Sequence, residues 1–275
     1  GTSPGQDMKL SEEKVEGLRN FANKLWNISR FMLMNMDEPR VDVERPEGKT
    51  LADKWILSRL ETIILETNKD LTSYNFSSAA ERLRDFTWNE LAAWYLEIAK
   101  VEGDKAKILN YILNMILKLW HPLIPFVTET IWSEVYGKES ILMVEKFPVA
   151  VETQDLASSK FELLQAIITK IRNLRAENNI PPVKKIVGYV KQNDLVENNK
   201  HIICALARLE SLESIVEFKE DVVSFVEGGI ECALDFSGAI DIDAEKIRIE
   251  KEIDHIKPYV LAQTKKLSNA GFVDN

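Results

Sequence analysis

Residues 10–36 read LSEEKVEGLRNFANKLWNISRFMLMNM, a stretch without proline or any other strong helix breaker except Gly17. At helical spacing, apolar side chains fall on one side of this stretch, at Phe21, Leu25, Ile28, Met32 and Met36. The acidic residues at positions 12 and 13 suit the positive end of a helix dipole. The stretch therefore predicts one long amphipathic helix, which ends before Pro39.

Four further helical patterns follow before residue 148, separated by short polar or proline-containing connections. They are predicted over residues 51–71, 79–101, 105–120 and 125–135. Ser77 or Ser78 is expected to cap the helix that starts at residue 79. Five helices with short connections predict a helical bundle over residues 1–148.

The pattern changes after Pro148, where short strands begin to alternate with helices. Helices are predicted over residues 160–178 and 198–209, and strands over residues 186–190, 214–218, 222–226 and 231–236. Gly228 and Gly229 mark a tight turn between the last two strands. This mixture predicts a small α+β domain over residues 149–242.

The last predicted segment, residues 243–275, has the apolar spacing of a coiled-coil helix. Its seam would be formed by Ile249, Ile253, Ile256, Val260 and Leu267. Pro258 falls inside this pattern and predicts a kink or a weak point. The fold class is thus mainly α: a helix bundle, then a small α+β domain, then a C-terminal arm helix.

Composition excludes several classes of protein. No stretch approaches the roughly 20 apolar residues that a membrane span requires, and the N-terminus does not resemble a secretion signal. The net charge of −9 argues against nonspecific coating of nucleic acid. We expect a cytoplasmic monomer in which Cys204 and Cys232 are buried apolar residues without a disulfide or a metal.

A polar arc runs along the predicted first helix, opposite its apolar side. It contains an unusual number of asparagines together with cations and one aromatic ring: Asn20, Asn23, Lys24, Asn27, Arg30 and Phe31. Asparagine disfavours helix but offers an amide for hydrogen bonding. A ring that stacks, amides that read base edges and cations that meet phosphates are suited to an unpaired base. Alternatively, another helix covers this face and the amides bond across the bundle.

A second candidate site is a basic cluster between residues 164 and 191, where six basic residues accompany a single acidic residue. The predicted binding residues are Lys170, Arg172, Arg175, Lys184 and Lys185. Such a concentration can meet a phosphate backbone. It can equally be a solvated face that neighbouring acidic helices neutralise.

Neither a catalytic nor a metal site is predicted. His121 precedes Pro122 at a helix end and has no second histidine or cysteine at ligand spacing, so we interpret it as a hydrogen-bonded turn residue. A glycine-rich phosphate loop, a pair of catalytic carboxylates and a Ser/His/Asp arrangement are all missing from the sequence. We therefore expect no cofactor site in this chain.

Several segments of the chain carry a resemblance to a known family. They are GQD at 5–7, LSEEKVEG at 10–17, RNFANKLWN at 19–27, RF at 30–31, DKWIL at 53–57, YNF at 74–76, IRNLRAE at 171–177, IPP at 180–182, KLSN at 266–269 and GFV at 271–273. These segments resemble valyl-tRNA synthetases, a family of class I aminoacyl-tRNA synthetases. The first-helix segments resemble the start of the anticodon-binding bundle of the valine enzymes, and residues 120–132 resemble a signature shared by synthetases for aliphatic amino acids.

This resemblance implies a function in translation. The intact enzyme would attach valine to its tRNA with ATP and Mg²⁺ and would edit mischarged threonine, which a valine-sized pocket rejects poorly. The bundle would receive the anticodon, the next domain would join it to the body, and the truncated arm would support the tRNA. The catalytic and editing domains are expected to be missing here, so the chain alone is predicted to be inactive. The alternative is a noncatalytic helical module that binds a partner through its coiled-coil stripe.

Overall fold

A computed structural model describes residues 11–36, 38–151, 157–239, 253–261 and 263–264. The chain divides into two compact units, Gly1–Ala166 and Ile167–Asn275. The predicted limits of the bundle, the α+β domain and the arm stay a prediction. The described residues are mainly helical with one small sheet, so the predicted fold class is confirmed.

The first unit is a helical bundle. Its helices are α1 (Glu12–Met34), α2 (Leu51–Thr72), α3 (Phe76–Asp85), α4 (Leu96–Glu102), α5 (Ala106–Trp120) and α6 (Pro125–Tyr136). A π-helical segment, Phe86–Tyr95, joins α3 to α4, and a single 3₁₀ turn, Leu142–Val144, follows α6. The predicted first, second, fourth and fifth helices are confirmed to within a few residues.

The core of this unit lies around α5, which contacts α1, α2 and α6. Buried residues occur on nearly every side of α5, because neighbouring helices surround it. The apolar side of α1, formed by Phe21, Leu25, Ile28 and Met32, is also buried. Burial of these side chains stabilises the bundle by about 1.5 to 3 kcal/mol for each large apolar residue.

The third predicted helix differs from the structure at its start. The prediction that Ser77 or Ser78 caps it is wrong: α3 begins at Phe76, and its N-cap, Asn75, makes no side-chain capping bond. Tyr74 adopts a left-handed conformation with φ of 60°, and the backbone N–H of Asn75 donates to the Asp70 carbonyl. This turn closes α2 so tightly that the next helix begins immediately.

The π-helical segment was not predicted. It begins beside Thr87, which is fully buried and donates its hydroxyl to the Leu83 carbonyl at 2.6 Å. The same hydroxyl accepts a hydrogen bond from the Trp120 indole at 3.1 Å. A side chain that binds a carbonyl one turn back can disturb the regular hydrogen-bond ladder of a helix. The contact with α5 thus coincides with the change of helical period.

The second unit packs helices beside a four-stranded sheet. Its elements are α7 (Ser158–Glu177, which starts in the first unit), β1 (Ile186–Val190), α8 (Asp194–Asn198), α9 (Lys200–Ala207), β2 (Leu209–Ser214), β3 (Val223–Glu227) and β4 (Ile230–Asp235). The strand order is β2-β1-β4-β3, with β1 parallel to β2 and the other pairs antiparallel. The predicted turn is confirmed at Gly228 and Gly229, which have φ of 54° and 81°.

The helix predicted over residues 198–209 is confirmed as α9 to within two residues at each end, and the short helix α8 before it was not predicted. The strand predicted over residues 214–218 is wrong, because the strand in this part of the chain is β2, which ends at Ser214. Arg208 closes α9 in a left-handed conformation, with φ of 58°. The chain therefore enters the sheet at Leu209, where it pairs with β1. Cys232 is buried as predicted, whereas Cys204 is only partly buried.

The predicted arm is described only in part. Residues 253–261 and 263–264 are helical, and Pro258 lies inside the first of these ranges. Ile253, Ile256 and Val260 are about half exposed. Ile249, Leu267 and the similar segments at 5–7, 266–269 and 271–273 lie outside the described residues, so pairing of this helix stays a prediction.

A buried ionic network joins three helix ends in the first unit. The Asp53 carboxylate, only 1% exposed, accepts hydrogen bonds from the Tyr95 hydroxyl at 2.9 Å and the Lys105 ammonium at 2.8 Å. Lys105 also pairs with Glu102 at 2.6 Å. Burial, and then the Asp53 charge, raise the pKa of the Tyr95 hydroxyl, so this hydroxyl stays protonated and donates. The network links the start of α2, the end of α4 and the start of α5.

Replacing the buried cation tests this network. Lys105→Met should lower the free energy of unfolding by about 3 to 5 kcal/mol, because two buried carboxylates lose their positive partner. Chemical denaturation of the variant measures the change. The control is Lys49→Ala, which removes a surface ion pair between Lys49 and Asp104. The side chain of Lys49 is 77% exposed and that of Asp104 is 84% exposed. That variant should unfold like the wild type, and equal stability of both variants would contradict the role of the network.

Candidate nucleic-acid interface

The polar arc of α1 lies on the surface of the first unit. Asn20, Asn23, Asn27 and Arg30 are exposed, and Lys24 and Phe31 are partly exposed. The three asparagine side chains make no hydrogen bond to any other residue that the structure describes. The alternative in which a neighbouring helix covers this face and takes up the amides is therefore not observed in the described bundle. We refer to these six residues as the α1 stripe.

One edge of the α1 stripe meets cation–aromatic pairs. The Lys24 ammonium lies 5.1 Å from the centre of the Trp88 ring, and the Lys100 ammonium lies 5.3 Å from the centre of the Phe31 ring. A cation at this distance is attracted to the face of the ring by about 0.5 to 1 kcal/mol at an exposed site. The two lysines are thus held over the rings, and both belong to the same edge of the surface.

Sequence reasoning missed Trp88 and Lys100. Trp88 belongs to the π-helical segment and is 40% exposed, while Lys100 lies on α4 and is also exposed. Phe21, which is buried, stacks against Trp88 with ring centres 6.3 Å apart and an angle of 22° between the planes. A hydrogen-bond period longer than that of an α-helix moves each later side chain around the axis. The ordinary helical period therefore could not show that Trp88 faces the α1 stripe.

The other edge of the α1 stripe borders α6. Trp26 is 41% exposed, and together with Arg30 it lines a groove of about 150 Å³. The remaining lining residues are Ser29, Leu33, Ile131, Glu134 and Val135. Aromatic and cationic groups thus flank the three exposed asparagines on both sides. This combination can stack on bases, bond to base edges and attract phosphates.

The predicted basic cluster does not form one surface. Lys170 is partly exposed and Arg172 is exposed, but they are two positions apart in α7 and therefore lie about 200° apart around the helix axis. The Arg172 guanidinium donates to the Leu206 carbonyl at 2.9 Å. Arg175 is only 5% exposed, so its guanidinium lies inside the second unit. Lys184 and Lys185 are both exposed on the loop between α7 and β1.

His121 has a structural hydrogen bond. Its Nδ1 atom lies 2.9 Å from the Thr128 hydroxyl oxygen, and that hydroxyl lies 3.0 Å from the Ile124 carbonyl, to which it can donate. The interpretation of His121 as a hydrogen-bonded turn residue is therefore confirmed. Within the described ranges, histidine, cysteine and carboxylate side chains nowhere gather in a group of three that could hold a metal ion.

Comparison with known proteins identifies relatives over the whole chain. Residues 53–190 match the family model of the anticodon-binding domain of tRNA ligase. A valine–tRNA ligase of Bacillus thuringiensis is 37% identical over 99% of this chain and 33% of its own length. Those of Clostridium acetobutylicum and Bacillus subtilis are 37% and 36% identical, over 100% and 99% of this chain. The chain spans about a third of the length of these relatives.

The two sides of α1 should respond differently to truncation. Phe21→Ala should lower the free energy of unfolding by about 3 to 5 kcal/mol, because the ring is buried in the core. Asn27→Ala should change it by less than about 0.5 kcal/mol, because the side chain is exposed. Denaturation curves of the two variants measure the difference. A large loss of stability in Asn27→Ala would mean that the α1 stripe is structural.

Proposed function

Since this chain belongs to the anticodon-binding domain family of tRNA ligases, we propose that it recognises valine tRNA as part of a valine–tRNA ligase. Three relatives from separate species carry that name, and they are similar to this chain over nearly its whole length. The sequence of α1 independently resembles the valine enzymes. Both observations favour valine over other aliphatic amino acids.

The remaining two-thirds of such a ligase would carry the chemistry. In the intact protein, a catalytic domain would use ATP and Mg²⁺ to attach valine to the tRNA, and an editing domain would remove threonine. Threonine differs from valine by a hydroxyl in place of a methyl group, so a pocket alone separates the two by only about 100-fold. We propose no cofactor site in this chain, whose contribution is to bind and position the tRNA. We also propose a monomer that works in the cytoplasm, and among the described helices none could span a membrane.

The observation that carries the proposal is that the α1 stripe is exposed, contains the Phe31 ring and lies beside the Trp88 ring. We propose that Phe31 and Trp88 stack on bases of the anticodon loop, which are unpaired and can turn outwards. Asn20, Asn23 and Asn27 would bond to base edges, because each amide has both a donor and an acceptor group.

The cations of this surface would bind phosphates of the tRNA backbone. Lys24 and Lys100 now lie over the aromatic rings, and an incoming base would compete with them for the ring faces. When displaced, each lysine remains within reach of the backbone on either side of the stacked base. Arg30, at the other edge, can bind a phosphate through two parallel hydrogen bonds. The site would thus exchange two weak intramolecular contacts for intermolecular ones.

The alternative of a partner-binding coiled-coil module is not favoured. The described part of the arm does expose Ile253, Ile256 and Val260. However, relatives named as tRNA ligases match the chain almost end to end. A helical arm in such a ligase is compatible with tRNA recognition, and it does not require a separate function.

Removal of either stacking ring should weaken binding of tRNA. Phe31→Ala and Trp88→Ala should each cost about 1 to 3 kcal/mol of binding free energy, which is the usual value of a base–aromatic stack. A mobility-shift or fluorescence titration measures this with transcripts that carry the valine anticodon or a different one. Both variants should lose affinity mainly for the valine anticodon.

Phe126→Ala provides the matched control, because this aromatic ring on α6 is 90% exposed and lies outside the proposed interface. It should bind like the wild type. If Phe31→Ala and Trp88→Ala also bind like the wild type, the anticodon does not stack on this surface.

A further inference from the structure

The loop between α7 and β1 presents five consecutive exposed residues, Pro181, Pro182, Val183, Lys184 and Lys185. Val183 is 93% exposed, so it projects from the tip of the loop. The residue before this run, Ile180, is 6% exposed and anchors it to the core. The two prolines fix two backbone φ angles near −65°. The loop is therefore short, anchored and restricted in conformation, although it lies on the surface.

The Arg175 side chain forms hydrogen bonds that hold this loop in place. Its Nη2 atom donates to the carbonyls of Pro181 at 3.1 Å and Lys184 at 2.6 Å. Its Nη1 atom donates to the Arg208 carbonyl at 2.8 Å, at the left-handed residue that closes α9. The planar guanidinium is suited to such divergent contacts, because its donors form a rigid fork. The Arg175 side chain thus connects Pro181 and Lys184, at the two ends of the loop tip, to the C-terminal end of α9.

The charge of Arg175 has no acidic partner in the part of the chain that the structure describes. All three of its hydrogen-bond acceptors are neutral carbonyls. Burial, and then the charge of Arg208, lower the pKa of this guanidinium. A buried cation without an opposite charge costs free energy. An anion bound at the surface of the loop would offset that cost, and Lys184 and Lys185 would add two positive charges to its attraction.

We propose that residues 181–185 form a prearranged contact for the phosphate backbone of RNA, in which Lys184 and Lys185 touch phosphates and Arg175 is the positioning residue. This rests on the proposed function, because it names a second surface that the bound tRNA would meet. The ligand is a phosphodiester backbone, because the five exposed residues 181–185 offer two cations and no side-chain amide. Its fixed conformation reduces the ordering entropy that binding would otherwise cost.

Lys184 and Lys185 are tested by their effect on the salt dependence of binding. The double variant Lys184→Ala/Lys185→Ala should weaken binding of every transcript to a similar degree, whichever anticodon it carries. The slope of log affinity against log salt concentration should become shallower by roughly 0.7 to 0.9 for each phosphate that a lysine no longer neutralises, hence by roughly 1.4 to 1.8 for the two lysines together. Titrations of the full 275-residue chain at several salt concentrations measure both quantities. Lys138→Ala is the control, since it removes one exposed charge outside the loop.

The positioning role of Arg175 is tested by asking whether the losses of RNA affinity in single and combined variants add up. Arg175→Met removes no exposed cation but releases the loop, so it should weaken binding about as much as the double lysine variant. Combining all three substitutions should add little to the effect of either alone, because residues that act as a unit are not additive. Pro182→Gly gives an independent test, because it loosens the loop, keeps every charge and breaks no hydrogen bond of Arg175. It should weaken binding while the melting temperature stays close to that of the wild type.

The outcomes separate this proposal from the proposed function. If the wild type discriminates between anticodons but the double lysine variant keeps its salt slope, the loop contact is wrong and the anticodon contact stands. If the wild type ignores the anticodon but the double variant has a shallower slope, the loop binds RNA and the valine-specific function is wrong. If Arg175→Met and Pro182→Gly, measured while folded, keep wild-type affinity and slope, Arg175 does not position the loop for RNA.

Discussion

Asp53 is the group on which the arrangement of the first unit depends. Its buried carboxylate accepts hydrogen bonds from Tyr95 and Lys105 and from the backbone amides of Lys49 and Thr50. These partners belong to the connector before α2, the end of the π-helical segment and the start of α5. A carboxylate in so dry a position costs free energy unless all its partners are present. The requirement to satisfy this carboxylate therefore fixes three chain segments relative to one another.

The candidate anticodon surface depends on the same network. Trp88 and Lys100 lie on the continuous helical segment that Tyr95 and Glu102 attach to Asp53 and Lys105. The α1 stripe reaches this segment through Lys24 and Phe31, whose partners are those two side chains. Buried charge thus holds an exposed surface in place. The polar interactions of the interior define the geometry, while apolar burial around α5 provides most of the stabilisation.

An acidic chain can bind a polyanion where some of its cations are exposed together. The net charge of −9 disfavours contact with RNA in general, because the acidic residues outnumber the basic ones. We propose the α1 stripe and the loop at residues 181–185 as local exceptions. One offers rings and amides, which suit bases, and the other offers cations and a fixed backbone, which suit phosphates. A division of this kind separates recognition of sequence from recognition of the backbone.

The sequence by itself determined the elements whose signals are local. The apolar repeat of α1, the strand at Ile186–Val190 and the turn at Gly228 and Gly229 were predicted because periodicity and glycine act over a few residues. The arc of asparagines was likewise visible, since positions on one helix follow from spacing. Only the tertiary structure decided which helix lies beside that arc. The helical period changes near Thr87, which accepts a hydrogen bond from Trp120 across the bundle, and the spacing of residues in the sequence cannot reveal such a contact. The tertiary structure also decided that Arg175 is buried while Lys184 and Lys185 are exposed. The sequence shows how many charged residues there are, but a charged side chain can be buried only where the fold supplies hydrogen-bond acceptors, here the carbonyls of Pro181 and Arg208.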